Sequence, residues 1–249
     1  MARPEGAEPG GAGSSSGDLL SWSEPVRGRL VARYEAREVG LASSRDAIRA
    51  AANAIRATHR GERDRAAGLL ADARDALRTA TTTCAPYPDV LHAGFLQDAA
   101  KEVAEAVLTS IAVEGDPLPG PEEVGVDDVS WLHGLAETVG ELRRASLDHV
   151  RAGRIDDAER ALALMQEILS VLVTVDVPDG LSRGLRRATD AARAITERTR
   201  GDLTAAAGQR ELRRALDAHR EVLERVLEVS GGQSPSGAAG SDAGTELGE

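Results

Sequence analysis

The chain of 249 residues carries a formal net charge of −11, and only 2% of its residues are aromatic. β-Branched and aromatic residues are too sparse to furnish a large sheet, whereas the abundant Ala, Leu, Arg and Glu lose little in a helix, so the composition points to an all-α fold. The acidic balance argues against a general nucleic-acid coat, since phosphate binding rests on Lys and Arg, but leaves room for a local basic groove.

The N-terminal stretch MARPEGAEPGGAGSSSGD has no apolar core of the secretory kind, and no run approaches the ~18 apolar residues of a membrane span. A soluble, cytoplasmic protein without membrane attachment is expected. Cys84 is the only cysteine, which excludes an intrachain disulfide and a cysteine metal cluster and suggests a buried spectator. Lys101 is the only lysine, so nearly all positive charge is arginine, the side chain suited to bidentate phosphate contacts.

Residues 1–18 and 231–249 are rich in Gly, Ser, Ala and Pro without apolar periodicity, and are expected to be disordered tails around a helical domain at 19–230. Within that domain about seven helices are predicted. The first runs from Pro25 to Arg60, with His59 and Arg60 in its last turn and Gly61 as its stop. The second covers Glu62 to Thr82, ahead of Pro86-Tyr87-Pro88. A third runs from Asp89 to Glu114, followed by a Pro-rich loop from Gly115 to Gly125.

A fourth spans Asp127 to Ala152 and is closed by Gly153. A fifth opens at Ile155 with Asp156 and Asp157 and runs to Val175. Pro178-Asp179-Gly180 precedes a sixth, to Ala207, and a seventh covers Gln209 to Val229. Long helices with short connections imply a bundle of antiparallel neighbours. The seventh shows an apolar stripe through Leu212, Leu216, Val222, Leu223, Val226 and Leu227, wider than one thin face requires, which suggests packing between subunits of a closed homo-oligomer.

The chemically suggestive residues lie on the third and fourth helices. Glu102 and Glu105 in KEVAEA are spaced i,i+3, and Glu137 and Glu141 in GLAETVGEL are spaced i,i+4, so each pair projects from one side of its helix. Four carboxylates on two antiparallel helices could converge on a hard cation, Mg²⁺ or Mn²⁺ rather than zinc. On a helical wheel, Leu132, Leu135, Val139, Leu142 and Val150 form the core stripe of the fourth helix, and Glu137 and Glu141 lie nearly opposite it. On the third, Leu96, Val103, Val107 and Ile111 face inward, with Glu102 at the boundary and Glu105 outside. The four are therefore either solvated surface or the wall of a cleft or oligomeric cavity. His133 aligns with Glu137 and Glu141 at i,i+4,i+8, as a surface histidine or a further ligand.

The words around these residues carry a resemblance. GLAETVGELRR (134–144) is similar to the Gly-x-Ala-Asp-x-x-Gly-Glu-Leu segment of the translin family, and KEVAEA (101–106) to its Gln-Glu-Tyr-Val-Glu-Ala segment. SRDAIRAAANAIRATHR (44–60) resembles its Ser-Arg-Asp-Ile…His-Arg helix, and LRRATDAARAITERTRGDL (185–203) its basic final segment. Order and spacing agree over roughly residues 28–205. The resemblance implies a translin-like helical bundle and places the chain nearer the translin-associated protein X branch, whose carboxylates make it an endoribonuclease, than the translin branch, a nucleic-acid-binding scaffold. Carried over by position, Glu102, Glu105, Glu137 and Glu141 become the catalytic, metal-binding set for Mg²⁺ or Mn²⁺. Single-stranded RNA becomes the substrate, with single-stranded DNA as a second candidate ligand, and a homo-octamer the implied assembly.

Two departures stand out. Position 137 is Asp in the family pattern and Glu here, longer by one methylene. The short Arg/His box of translin-branch members is replaced by Leu91-His92-Ala93-Gly94-Phe95, where a lone His92 is a poor substitute. Val103 also stands where the pattern has Tyr, a packing change. An RNA-binding surface is expected from Arg143 and Arg144 beside Glu141 and from Arg183, Arg186, Arg187, Arg193 and Arg200 on the sixth helix, contacting phosphates rather than bases. Two alternatives stay open: a non-catalytic single-stranded nucleic-acid-binding scaffold, and an all-α nucleoside triphosphate pyrophosphohydrolase of the MazG kind. The acidic motif of the latter ends in Glu-x-x-Asp, unlike Glu137-x-x-x-Glu141.

Overall fold

The computed structural model describes residues 16–231. Among them the chain forms nine α-helices and no strand. They are α1 (Ser16–His59), α2 (Arg63–Cys84), α3 (Pro88–Leu91), α4 (Gly94–Glu114), α5 (Pro121–Val124), α6 (Asp128–Arg151), α7 (Ile155–Leu172), α8 (Asp179–Ser182) and α9 (Leu185–Gly231). The all-α architecture is the one expected, and the predicted first, second and fourth helices reappear as α1, α2 and α6.

The boundaries follow local chemistry. Asp127 caps α6, its carboxylate accepting from the Ser130 N–H at 3.1 Å. Gly115 closes α4 at φ 84°, its N–H bonded to the carbonyls of Ile111 and Ala112, a left-handed conformation that side chains disfavour. Where the structure differs from expectation, the cause is visible. The third predicted helix is split into α3 and α4 at His92-Ala93. The predicted sixth and seventh helices are one helix, α9, because an interior glycine such as Gly208 costs only ~1 kcal/mol relative to Ala and does not break the ladder. Helix α1 starts ahead of Pro25 rather than at it. The expected tails fall outside the described residues, apart from Ser16–Asp18 and Gly231, which are helical.

The chain divides into two compact units, residues 1–200 and 201–249. In the second, the described part is the C-terminal portion of α9, and the predicted stripe residues Leu212, Leu216, Val222, Leu223, Val226 and Leu227 are all exposed. In the first, α1 and α2 form a hairpin, α4 packs against α1, α2 and α6, and α7 returns along α6. Two ties join the end of this unit to α6: Arg183, which closes α8, bonds from Nη2 to Asp127 Oδ1 at 2.8 Å, and Arg143 Nη1 donates to Thr199 Oγ1, on the first part of α9, at 3.0 Å.

The core of this unit is built from small side chains. Ala47, Ala51, Ala54 and Ala57 on α1, Ala73 and Ala80 on α2 and Ala99, Ala104 and Ala106 on α4 are fully buried, so helix backbones approach closely. Val103, Val107, Leu108, Val139, Leu142 and Met165 fill the spaces between. Cys84 is buried as expected, with its thiol directed to the Ala36 carbonyl at 3.6 Å and its pKa raised by burial. The tightest α4–α6 approach is at Gly134, where a Cβ would lie 2.6 Å from Ala104 Cβ and 2.9 Å from the Glu105 backbone nitrogen. Gly134→Ala should therefore force α4 and α6 apart, with a loss of about 1–3 kcal/mol typical of overpacking. Urea unfolding of the variant reads it directly, and a midpoint unchanged from the parent would contradict this account of the contact.

Candidate functional site

The approach at Gly134 sets the site, because the glycine lies one turn before Glu137 and touches α4 at the backbone of Glu105. Helical spacing then carries Glu102 and Glu105 on α4 and Glu137 and Glu141 on α6 to the same seam. Glu102, Glu105 and Glu141 are partly buried, whereas Glu137 is exposed. Glu105 and Glu141 are thus more enclosed within the protomer than the helical wheel placed them. The wheel assumes one buried face, and α4 is buried on most of its circumference.

Burial, joined by repulsion from Glu102, Glu137 and Glu141, raises the Glu105 pKa to about 8, and Lys101 only partly opposes this. The four predicted carboxylates therefore share one electrostatic environment. Two basic side chains hold them. Lys101 Nζ lies 3.1 Å from Glu102 Oε1 and 3.6 Å from Glu137 Oε1, joining α4 to α6. Burial works against the charge on Lys101, but its bond to Glu102 and the surrounding carboxylates keep its pKa above the ordinary lysine value. His59, at the end of α1, donates from Nε2 to Glu141 Oε2 at 2.5 Å, and its side chain is only 5% exposed. That bond, against the effect of burial and aided by the charges of His59 and Arg144, holds the Glu141 carboxyl below its usual range.

The donor set, all carboxylate oxygen, is of the kind a hard divalent cation takes. As the side chains stand, no three acidic or histidine groups among the described residues are gathered into a ready cage. Lys101 and His59 occupy the carboxylates instead.

The other predicted residues separate. His133 is not part of the cluster; it donates from Nε2 to the Ser182 carbonyl at 2.9 Å and ties α6 to α8. Arg144 stands beside Glu141 at 3.8 Å, and Arg143 is bonded to Thr199. Arg183 is paired with Asp127 at the start of α6, some 16 residues or ~24 Å of helix from Arg143, so the two serve different ends of the helix. Arg193 and Arg200 pair along α9 with Asp190 and Glu197. Arg186 and Arg187 are exposed and have no carboxylate partner among the described residues. A separate cavity of about 940 Å³ between α4, α6 and α7, lined by Trp131, Leu142, His149 and Leu164, contains none of the four carboxylates.

The same arrangement of helices occurs in solved proteins. This chain superposes on AfC3PO in its complex with duplex RNA with a TM-score of 0.70 and 32% identity, over 75% of this chain and 97% of that one. The chain belongs to the C3PO (translin) family. A second AfC3PO crystal structure gives the same TM-score at 31% identity. Apo-NeC3PO, at 19% identity and a TM-score of 0.66, shares the C3PO fold over 79% of this chain and 100% of its own. An uncharacterized protein of Methanocaldococcus jannaschii is 26% identical over 176 residues, 70% of this chain and 78% of its own. No protein-family model matches the sequence. Among the described residues of this C3PO-family chain, no helix is long and apolar enough to cross a membrane.

His59 is the site residue that sequence reasoning missed. It lies 82 positions from Glu141, and its signal was its place in the His-Arg end of a family-like helix. The cluster also predicts a pH dependence. Glu105 holds its proton up to about pH 8 in the folded chain, whereas a free glutamate ionises near 4.5. Between these values the native state binds more protons than the unfolded state, so stability falls as pH rises through the window. In chelator, Glu105→Gln should flatten this slope in urea midpoints taken from about pH 5 to pH 8. Equal slopes for the two proteins would contradict the crowding of charge at Glu105.

Proposed function

We propose that the protein is a divalent-metal-dependent endoribonuclease of the X-like, catalytic branch, acting on single-stranded RNA in the cytoplasm as a closed homo-oligomer, an octamer by family resemblance. The observation that carries the reading is the set of four carboxylates from α4 and α6 acting on one another, with Glu105 raised to about 8. In this reading Glu102, Glu105, Glu137 and Glu141 hold Mg²⁺ or Mn²⁺. Such an ion, when bound, supplies charge neutralisation at a phosphate and a water of lowered pKa. His59 keeps Glu141 ionised and aimed, and the half-exposed Arg144 beside it offers a guanidinium to a phosphate oxygen. Arg186 and Arg187 are the arginines most available for further phosphate contacts, while Arg143, Arg183, Arg193 and Arg200 would have to exchange present partners for RNA. AfC3PO, 32% identical, forms a complex with duplex RNA, which supports RNA as the ligand class. The preference for single strands rests on the family resemblance.

A non-catalytic nucleic-acid scaffold is the second reading, favoured by Lys101 and His59 already occupying the carboxylates. Purified protein should cleave single-stranded RNA with Mg²⁺ or Mn²⁺, more slowly cleave duplex, and do neither in chelator. Equal decay with metal and with chelator would contradict the nuclease reading. Glu137→Ala should reduce cleavage at least about 100-fold with little change in melting temperature, since the side chain is 48% exposed. Glu141→Ala should also abolish cleavage but at a stability cost of about 1–3 kcal/mol, because it strands the buried imidazole of His59. Retained cleavage in both variants would show that these carboxylates are not the catalytic set, and no cleavage by the parent protein under any metal would leave the scaffold. For the assembly, light scattering at low micromolar concentration should give several times the 26.1 kDa of one chain, and a monomer mass would contradict it.

A further inference from the structure

Of the 30 Lys and Arg residues in the chain, one is lysine, and that one stands in the carboxylate cluster. Everywhere else the sequence meets a need for positive charge with arginine. The two cations differ in shape. Guanidinium is a broad, planar fork, whereas ammonium is a compact point charge with three donors. The Lys101 ammonium lies against one carboxylate from each helix, Glu102 and Glu137, and its charge also reaches Glu105. It occupies the place that a bound cation would claim on the same two oxygens.

We propose that Lys101 is the resident cation of this cluster, and that its ammonium competes with a divalent ion for Glu102 and Glu137. The inference rests on the reading of the four carboxylates as a metal-binding set. Without metal, the ammonium offsets part of the repulsion across the α4–α6 seam. For a divalent ion to bind, Glu102 and Glu137 must release the lysine, and the ion must accept a positive charge as its neighbour. Lys101 thereby weakens metal affinity while stabilising the metal-free protein. Its sequence position serves this role, since a residue adjacent to Glu102 on α4 has a side chain long enough to reach across to α6.

The test is Mn²⁺ binding by the full-length protein, with free Mn²⁺ followed by its paramagnetic resonance signal, and melting temperature in chelator. Lys101→Met removes the charge at similar length, and Lys101→Arg retains it. Lys101→Met should bind Mn²⁺ at least about tenfold more tightly than the parent, melt lower in chelator, and gain more from added Mn²⁺. Lys101→Arg should not show the tightened binding. If Lys101→Met folds only with Mn²⁺ present, the proposal is supported, and if it folds in neither condition the lysine is structural and the proposal fails. Equal affinity of parent and Lys101→Met overturns the competition but leaves the metal-binding reading intact, as does equally tight binding by Lys101→Arg. Binding by Lys101→Met alone supports the competition and overturns metal dependence of the natural chain. No binding by either overturns both.

Discussion

Four carboxylates pressed into one seam repel one another, and helices that carry them would part unless something stronger held them. What holds α4 to α6 is backbone proximity. Gly134 meets Ala104 and the Glu105 amide with no room for a methyl group, and buried valines and leucines close the seam on either side. The fold therefore bears the electrostatic cost through apolar burial, and the cost appears as the proton retained by Glu105. Concentrated negative charge on a rigid pair of helices is a poor way to stabilise a protein. In the proposed reading it serves a cation, whose charge would offset that repulsion once the carboxylates closed on it.

Around that seam the protein places basic side chains with different tasks. His59, buried at the end of α1, takes one oxygen of Glu141 and brings a third helix to the site. Lys101 spans the seam itself. Arg144 stands at the edge, half exposed, where an incoming phosphate could meet it. The gradation from buried imidazole through bridging ammonium to exposed guanidinium passes from holding the site to receiving a ligand. On α9, Arg193 and Arg200 pair along their own helix with Asp190 and Glu197, and such pairs, exposed on the surface, contribute little to stability.

Much of this was legible in the residues. The helix former excess, the glycine and proline punctuation and the apolar stripes of α4 and α6 located the helices, and spacing paired the glutamates correctly. Burial was harder. A helical wheel assigns each helix one inner face, but α4 is enclosed by α1, α2 and α6, so Glu105 lies inside an arc that the wheel left to solvent. His59 was hidden for a different reason: its partnership with Glu141 joins helices far apart in sequence, and no local pattern encodes it. His133, aligned with the glutamates by periodicity and left open between a surface histidine and a further ligand, is drawn to the Ser182 carbonyl. The merger of two predicted helices into α9 shows that a lone glycine such as Gly208 is weak punctuation, whereas the break ahead of α9 falls where Arg183 and Gly184 both take positive φ. The long exposed apolar runs at the start of α1, through Leu19, Trp22, Val26 and Leu30, and at the end of α9 are equally readable as patterns, but a pattern does not name what covers it.

The central claim is that Glu102, Glu105, Glu137 and Glu141 form one cation site between α4 and α6. The most direct measurement is a crystal structure of the protein grown with Mn²⁺, with anomalous differences collected at the manganese edge. The account predicts a peak in the seam bounded by these carboxylates, with Lys101 displaced from Glu102 and Glu137. A well-ordered structure with the lysine in place and no peak in the seam, or with manganese bound elsewhere, would contradict it.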